Sequence, residues 1–388
     1  MSTPPNPVGT VVHEVRWSDA LPWWLLFRAA AVAFSPTVIL LAALGAVATW
    51  AGWSACTQAG LAGADGFVDL ATPGGAIVLP QGDAPPATPL TPSRVSTPWV
   101  HDLVRMLPRP LAELVALVSV PFRPTASLAA MLGAAARIGW FVLVWSIFGT
   151  GITRHVALKL VGEEAPGPVG SVLYGSAKWL SAFNAVLFVL VGILALSVPG
   201  ALLGLAMRTA WGLAFAGAVW PLVLLGAIVL AILAVGVVAG WPLMVAAVGV
   251  ERGDSFQAIS TAFSYLYQRP LHYAFYALLA LAVAVPAVAV AGLFADATGT
   301  LAIWATSFGM GHERTVAVVD AVSGAGSEAA DWGARAIGFW GRGLAHLLSS
   351  FGWGSFWAFA TAAYMLLRQD VDGTELDEVV IEEPGSGS

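Results

Sequence analysis

The chain has few of the features that soluble, redox or disulfide-linked proteins need. Only 10% of its 388 residues are charged, whereas 58% are hydrophobic. In soluble domains about a quarter of the residues are charged. A single cysteine, Cys56, excludes an internal disulfide and a thiolate metal cluster. This composition predicts an integral membrane protein. The seventeen tryptophans fit many water–lipid boundaries.

The sequence also lacks recognisable catalytic motifs. It has no phosphate-binding loop and no Gly-x-Gly-x-x-Gly sequence. The six histidines are scattered, and the adjacent pair His312 and Glu313 fits no metal-binding helix. No acid falls within a predicted span, which argues against a proton-coupled carrier and an intramembrane protease. We therefore expect no enzyme activity and no catalytic, cofactor-binding or metal-binding residues.

Charge is concentrated at the C-terminus. From Gln369 onward there are seven acids and no base, which leaves sixteen acids against the seventeen Lys and Arg of the remaining chain. A tail of this composition is expected to be disordered. It offers a cytoplasmic docking segment for a basic protein partner. The other expected partner is the lipid bilayer; no nucleic acid is expected, and the oligomeric state stays open.

Long apolar runs predict an all-α membrane helical bundle with about six spans, since a span needs about 20 apolar residues. Ala201–Ala218 is apolar but contains Arg208, so it is either an interfacial helix or a further span. The predicted spans are Ala29–Trp53, the apolar part of helix 128–161, Trp179–Val198, Val219–Val250, Tyr273–Phe294 and Phe351–Leu367.

These spans divide the chain into five segments. In the second, Trp99–Val120 is amphipathic and either lies on the membrane or packs on another part of the protein. The segments are a leader with the first span (1–53), a Pro/Gly-rich extracytoplasmic loop (54–127), a helical core (128–298), an extracytoplasmic interfacial region (299–350), and the last span with the acidic tail (351–388).

The topology follows from the short connections. Most of their Lys and Arg residues fall on the side that also carries both ends of the chain. Because short cytoplasmic loops are enriched in these residues, both termini are predicted to be cytoplasmic in the inner membrane. The first apolar run is preceded by Glu14 and Asp19, which favours an uncleaved span over a signal peptide or a lipidated Cys56.

The segment 254–270 is predicted to be an elbow helix on the cytoplasmic interface. Asp254 is placed to cap its N-terminus, and Arg269 followed by Pro270 ends it. Apolar side chains at helical spacing form the face expected to lie on the membrane. That face comprises Phe256, Ile259, Phe263 and Leu266.

An earlier part of the chain has the same order of elements. A long helix, an acidic turn, a short helix at Ser171–Lys178 and a span at Trp179–Val198 precede the elbow by about 90 residues. The order predicts a parallel internal repeat. Pro199-Gly200 is expected to end the span of this first copy, and Asp296, Thr298 and Gly299 that of the second.

The pattern Asp-x-Phe-x-Ala-Ile-Ser-x-Ala-Phe-Ser-Tyr-x-x-x-Arg-Pro, at Asp254–Pro270, resembles an uncharacterised family of bacterial multi-pass membrane proteins. The opening, from Leu26–Ala29 to Gly52-Trp53, resembles it too. The resemblance covers about half of the chain. It implies an architecture and no activity, because it brings no catalytic or ligand-binding residues.

Three functions remain open. The first is a structural, assembly or accessory role in the membrane, carried by the interfacial helices and the acidic tail. The second is a transport-related subunit or small-molecule permease, which the elbow and the repeat favour. The third, a lipid-modifying enzyme, requires its acids or histidines in 54–127 or 299–350.

Overall fold

The computed structural model describes residues 21–60, 128–323 and 332–375. In these ranges the chain forms nine helices and no strand. The predicted leader, the Trp99–Val120 helix and most of the acidic tail lie outside the described residues. The helices are α1 Trp24–Ala33, α2 Pro36–Gln58, α3 Leu128–Val161, α4 Pro168–Ala206, α5 Ala210–Glu251, α6 Ser255–Gln268, α7 Pro270–Met310, α8 His312–Ser323 and α9 Trp332–Asp372.

Five of these helices are long and apolar enough to cross a membrane, namely α2, α3, α4, α5 and α7. The predicted all-α membrane bundle is confirmed. The segment expected as a sixth span, Phe351–Leu367, is the C-terminal half of α9 and is buried along nearly all its length. Since this half packs against α2, α3 and α5, it meets protein on most sides and need not be uniformly apolar.

Tryptophans fill the centre of the bundle, where α3, α5 and α9 meet. The rings of Trp145 and Trp353 stack with centroids 4.6 Å apart, and Trp241 meets Trp357 edge-on at 5.1 Å. Glycine makes room for them: a Cβ on Gly149 would lie 2.8 Å from the Trp357 ring. The tryptophans expected at lipid boundaries thus also supply the core.

The first predicted span is two helices. Helix α1 ends at Ala33, Ser35 is extended (ψ 141°), and Pro36 starts α2. Proline lacks an N–H and disfavours the helical conformation in the residue before it. The break therefore falls at Ser35, and the prediction of one continuous span from Ala29 is wrong.

Helix α4 is continuous from Pro168 to Ala206, which corrects two predictions. Ser171–Lys178 forms its first turns and is not a separate elbow helix. It lies directly on α3, since a Cβ on Gly175 would be 2.0 Å from the carbonyl oxygen of Ile147. Pro199 lies inside the helix and does not end it. The first copy of the predicted repeat therefore lacks its elbow.

The stretch Ala201–Ala218 is neither an interfacial helix nor a separate span. It contains the end of α4, a tight turn at 207–209 and the beginning of α5. The Thr209 hydroxyl accepts a hydrogen bond from the N–H of Gly212 at 3.1 Å and so caps α5. The two helices form an apolar hairpin.

Helix α7 also passes its predicted end. The hydroxyl of Thr298 donates to the carbonyl of Phe294, one turn earlier, so this polar residue is accommodated within the helix. The helix ends only at Gly311, whose φ of 74° favours glycine. The described residues of the region 299–350, which was predicted to be interfacial, belong to the end of α7, to helix α8 and to the first half of α9.

Parts of α4, α5 and α7 extend beyond the packed core. Helix α5 has 42 residues, so it is about 63 Å long at 1.5 Å per residue. A hydrocarbon layer is about 30 Å thick. Its residues before Gly236 are mostly exposed, whereas those from Gly240 onward are mostly buried. The packed core therefore lies toward the C-terminal end of α5.

Candidate functional site

Polar side chains converge at the end of the bundle where α5 and α9 terminate; we call this region the polar end. Its centre is Glu251, the last residue of α5. Oε1 of this carboxylate lies 3.2 Å from Nε of Arg368 and accepts a hydrogen bond from the Tyr364 hydroxyl. Oε2 accepts from Nε2 of Gln257 at 2.9 Å. Glu251 thereby joins α5, α6 and α9.

Two aspartates at the end of α9 continue this network. Asp370 accepts a hydrogen bond of 2.8 Å from the hydroxyl of Tyr276 in α7. Asp372 accepts one from the hydroxyl of Tyr265 in α6. Three carboxylates and three tyrosines therefore hold the last turns of α9 against α5, α6 and α7.

The C-terminal carbonyls of α5 are bound by side chains from α3 and α4. The Tyr174 hydroxyl donates to Val248 O at 2.8 Å, and Lys178 Nζ donates to Arg252 O at 3.0 Å. Nη1 of Arg154 lies 3.5 and 3.4 Å from the carbonyl oxygens of residues 249 and 250. Cations at this position also complement the negative end of the helix dipole. This arrangement explains why Arg154 is buried.

Arg252 is the αL residue that ends α5, with φ 62° and ψ 18°. Among the described non-glycine residues it alone has a positive φ. Its guanidinium carbon lies 5.9 Å from the ring centroid of Tyr174, and that of Arg154 lies 5.4 Å from the same ring. Both distances are within the range of a cation–π interaction.

The predicted elbow is a discrete helix, α6, of 14 residues. The Asp254 carboxylate accepts a hydrogen bond of 2.8 Å from the N–H of Gln257, which is the cap that the sequence predicts. The helix ends at Gln268, and Arg269 leaves the helical region before Pro270 begins α7.

The face of α6 that packs on the protein is distinct from the apolar face that was predicted to lie on the membrane. Ala258, Ala262 and Tyr265 are buried together with Leu266, whereas Phe256 is 70% exposed. Ile259 and Phe263 are half-buried. Small side chains let α6 approach α5 closely, and they therefore occupy the contact. Leu266 is thus buried against the protein, whereas the orientation of the four apolar side chains toward the membrane stays a prediction.

Helix α6 runs back along α5. Gln257 bonds Glu251, a Cβ on Gly240 would lie 3.9 Å from Ala262, and the Tyr267 hydroxyl donates to Ile232 O. Positions of increasing number on α6 thus meet positions of decreasing number on α5. This contact, together with the Phe188–Phe256 ring pair at 5.2 Å, places α6 in the groove between α4 and α5.

Burial and the neighbouring Asp372 carboxylate raise the pKa of Tyr265 well above its ordinary value. Burial also raises the pKa of Tyr267. Both phenols therefore remain protonated donors throughout the physiological pH range. Tyr265 thus remains a neutral donor to Asp372, and Tyr267 to the carbonyl of Ile232.

Sequence reasoning missed this network, although a signal was present. All six tyrosines of the chain donate hydrogen bonds, and all lie at or near α6 and the ends of α4, α5, α7 and α9 that meet it. In the sequence four of them cluster between residues 265 and 276. Phenols so concentrated in an apolar chain indicate a polar cluster in which their hydroxyls find hydrogen-bond acceptors.

The histidines in the described ranges do not come together. His155 lies beside the carbonyl of Pro166 (Nδ1 to O, 2.8 Å), and His346 beside that of Ala43 (Nε2 to O, 3.3 Å). His312 begins α8, while His101 lies outside the described residues. Within the described ranges no three His, Cys, Asp or Glu side chains are grouped in a way that could hold a metal ion.

No family model matches the chain, and neither a curated protein nor a solved structure matches it.

Proposed function

We propose that this chain is a multi-pass inner-membrane protein with a structural, assembly or accessory role, and that its acidic tail docks a basic cytoplasmic protein. The observation that carries the proposal is the fixation of the end of α9. Asp370 and Asp372 are bonded to Tyr276 and Tyr265, so the tail leaves the bundle next to a rigid, multiply bonded point. A segment that is anchored at one end loses less conformational entropy on binding than a free segment does, so this anchor favours docking by the tail.

The packing of the bundle centre favours this role over that of a permease. Trp145, Trp241 and Trp357 are buried, and the ring of Trp357 contacts both of the others. Interiors packed in this way transmit forces and resist rearrangement. A permease of this fold would have to move these rings during transport, whereas a scaffold protein functions with the core packed in this way.

The charge distribution supports a cytoplasmic location for the polar end. Arg28 donates to Leu160 O at the end of α3, while Lys178 and Arg368 lie at the end of α5. Cations thus gather where the tail begins. The preference of Lys and Arg for short cytoplasmic connections then supports cytoplasmic termini in the inner membrane. We also propose that the chain belongs to the uncharacterised family of multi-pass membrane proteins that residues 254–270 resemble.

Truncation of the tail tests the docking role. A deletion of Thr374–Ser388 removes five of the seven tail acids but keeps Asp370 and Asp372, whose bonds hold α9. The full chain and the truncated chain are purified from crosslinked native membranes, and bound proteins are identified by mass spectrometry. We expect a basic soluble protein with the full chain and its loss on truncation.

A full-length variant serves as the matched control. In it the acids from Glu375 onward are replaced by Gln or Asn. Loss of the same partner from this variant attributes docking to charge rather than to chain length. A partner list that is the same for all three proteins contradicts the proposal.

A further inference from the structure

Ser35 and His155 come together where the break between α1 and α2 lies on α3. The two residues are 120 positions apart in the chain, yet Oγ of Ser35 lies 3.5 Å from Nε2 of His155. A hydroxyl and the base that serves it are often this far apart before a substrate binds, and the distance shortens in the complex. His155 is 3% exposed, whereas Ser35 is partly exposed. The pair therefore joins the packed core to the surface.

The ring of His155 is oriented by a third group. Its Nδ1 lies 2.8 Å from the carbonyl oxygen of Pro166. Because a carbonyl only accepts, Nδ1 carries the proton, and Nε2 of the neutral ring is an acceptor. Oγ of Ser171 donates to the same carbonyl at 3.2 Å and so helps to fix it. A hydroxyl, a base and a group that orients the base are the arrangement of nucleophilic catalysis.

The backbone around Ser35 is suited to the same chemistry. Ser35 is extended and precedes Pro36 at the beginning of α2, but its hydroxyl makes no capping hydrogen bond. The first backbone bond of α2 runs from the N–H of Ile39 to Ser35 O. The N–H groups of Thr37 and Val38 precede this bond and lie within reach of a side chain at position 35. An oxyanion that forms beside Ser35 Oγ is therefore within reach of N–H donors.

The surroundings of the pair fit a lipid ester. Phe34 and Leu40, on either side of Ser35 in the chain, are 41% and 43% exposed, and α2 is long and apolar enough to cross a membrane. Pro166 belongs to the loop 162–167, in which Glu163 and Glu164 are exposed. The pair thus lies beside both an apolar surface and a polar loop. Ester groups of membrane lipids occupy the corresponding boundary between hydrocarbon and water.

We infer that Ser35 and His155 hydrolyse an acyl ester of a membrane lipid. Ser35 Oγ attacks the carbonyl carbon while its proton passes to Nε2 of His155. The tetrahedral oxyanion then collapses, the bond to the alcohol breaks, and the alcohol leaves with that proton. Water attacks the acyl-serine in the same way and releases the carboxylic acid, so that ester and water give acid and alcohol.

This activity goes beyond the docking role of the tail and does not depend on it. The sequence predicts no enzyme, because two residues 120 positions apart share no motif. Only the packing of α1, α2 and α3 brings the hydroxyl to the imidazole.

Labelling with a fluorophosphonate tests the nucleophile. The full chain in detergent is incubated with this probe, which loses fluoride to an activated serine, and the adduct is located by peptide mass spectrometry. We expect an adduct on Ser35 of the wild type and none in His155→Gln. Ser176 is the internal control, since it is an exposed serine whose hydroxyl bonds its own preceding turn, at Leu173 O. A wild-type chain that carries no adduct on Ser35, or equal labelling of Ser35 and Ser176, overturns the proposal.

Hydrolysis of para-nitrophenyl decanoate, without any soluble partner, measures the reaction. Ser35→Ala and His155→Gln are each expected to lower kcat by about 100-fold or more, and Ser176→Ala is expected to leave it unchanged. Because the Ser35 hydroxyl makes no capping bond, Ser35→Ala should keep the thermal midpoint of the wild type, and its loss of activity then does not come from unfolding. Equal rates for the wild type and Ser35→Ala overturn the proposal.

Discussion

Nε of Arg368 lies 3.2 Å from Oε1 of Glu251, and this ion pair joins the end of α9 to the end of α5. The side chains are only 16% and 14% exposed. A charge so enclosed is stable only while its partner is present. The ion pair thus couples the stability of α9 to that of the α4–α5 hairpin.

Replacement of Glu251 by Ala is expected to destabilise the protein by about 2–4 kcal/mol, because the enclosed Tyr364 hydroxyl loses its acceptor and Arg368 loses its bond to this carboxylate. The measurement is the free energy of unfolding in detergent, or the thermal midpoint. Glu163→Ala is the control, since Glu163 is exposed. Equal effects of the two substitutions would contradict the role given to the ion pair.

Replacement of Gly175 by Ala is expected to separate α4 from α3, because the new Cβ would lie 2.0 Å from the carbonyl oxygen of Ile147. Overpacking of this kind costs about 1–3 kcal/mol. In the same helix, Gly192 has no atom within 4 Å of an added Cβ. Gly192→Ala should therefore be neutral or slightly stabilising through helix propensity.

Thermal unfolding of both glycine variants checks this prediction. A pair of variants with equal midpoints would mean that α3 and α4 are not in close contact at Gly175. Because both positions lie in α4 and receive the same side chain, differences in expression or detergent binding affect them alike.

Replacement of Tyr265 by Phe is expected to change the dependence of stability on alkaline pH. Burial first, and then the Asp372 carboxylate, raise the pKa of Tyr265. The folded protein therefore keeps this proton at pH values at which the unfolded chain, with an ordinary pKa of about 10, has lost it. The free energy of unfolding consequently falls as the pH rises above about 10, and stability is greatest below it.

The check is the unfolding midpoint of the wild type and of Tyr265→Phe across this alkaline range. The variant should be less stable at neutral pH by about 1 kcal/mol, since it lacks the hydrogen bond to Asp372. Its stability should then fall less steeply with rising pH. An equally steep fall in both proteins would show that other groups cause it.

Much of the architecture followed from local chemistry. Asp254 caps α6 and Pro270 follows its end, because capping and the proline restriction involve only neighbouring residues. The errors concern the same kinds of residue in longer helices. Pro199 lies inside α4, and Thr298 inside α7 bonds its own preceding turn. A long helix whose other backbone hydrogen bonds are formed tolerates a proline or a threonine in its interior.

Which surfaces are buried was less predictable, as α6 shows. Ala258 and Ala262 are buried against the protein, whereas Phe256, which was predicted to face the membrane, is exposed. In water the larger apolar side chain would be buried first. In a membrane, exposure of Phe256 to lipid has no such cost, so close contact between small residues decides which face packs.

By itself the sequence determined that this is a helical membrane protein, where most helices lie and how α6 begins and ends. These properties depend on apolar content, periodicity and bonds between neighbouring residues. Only the tertiary structure decided that α9 occupies the centre, that α6 returns along α5, and that Glu251, Asp370 and Asp372 meet Arg368, Tyr276 and Tyr265. Hydropathy does not tell which helices contact one another, because lipid and protein interior are equally apolar. Shape complementarity and hydrogen bonding decide these contacts.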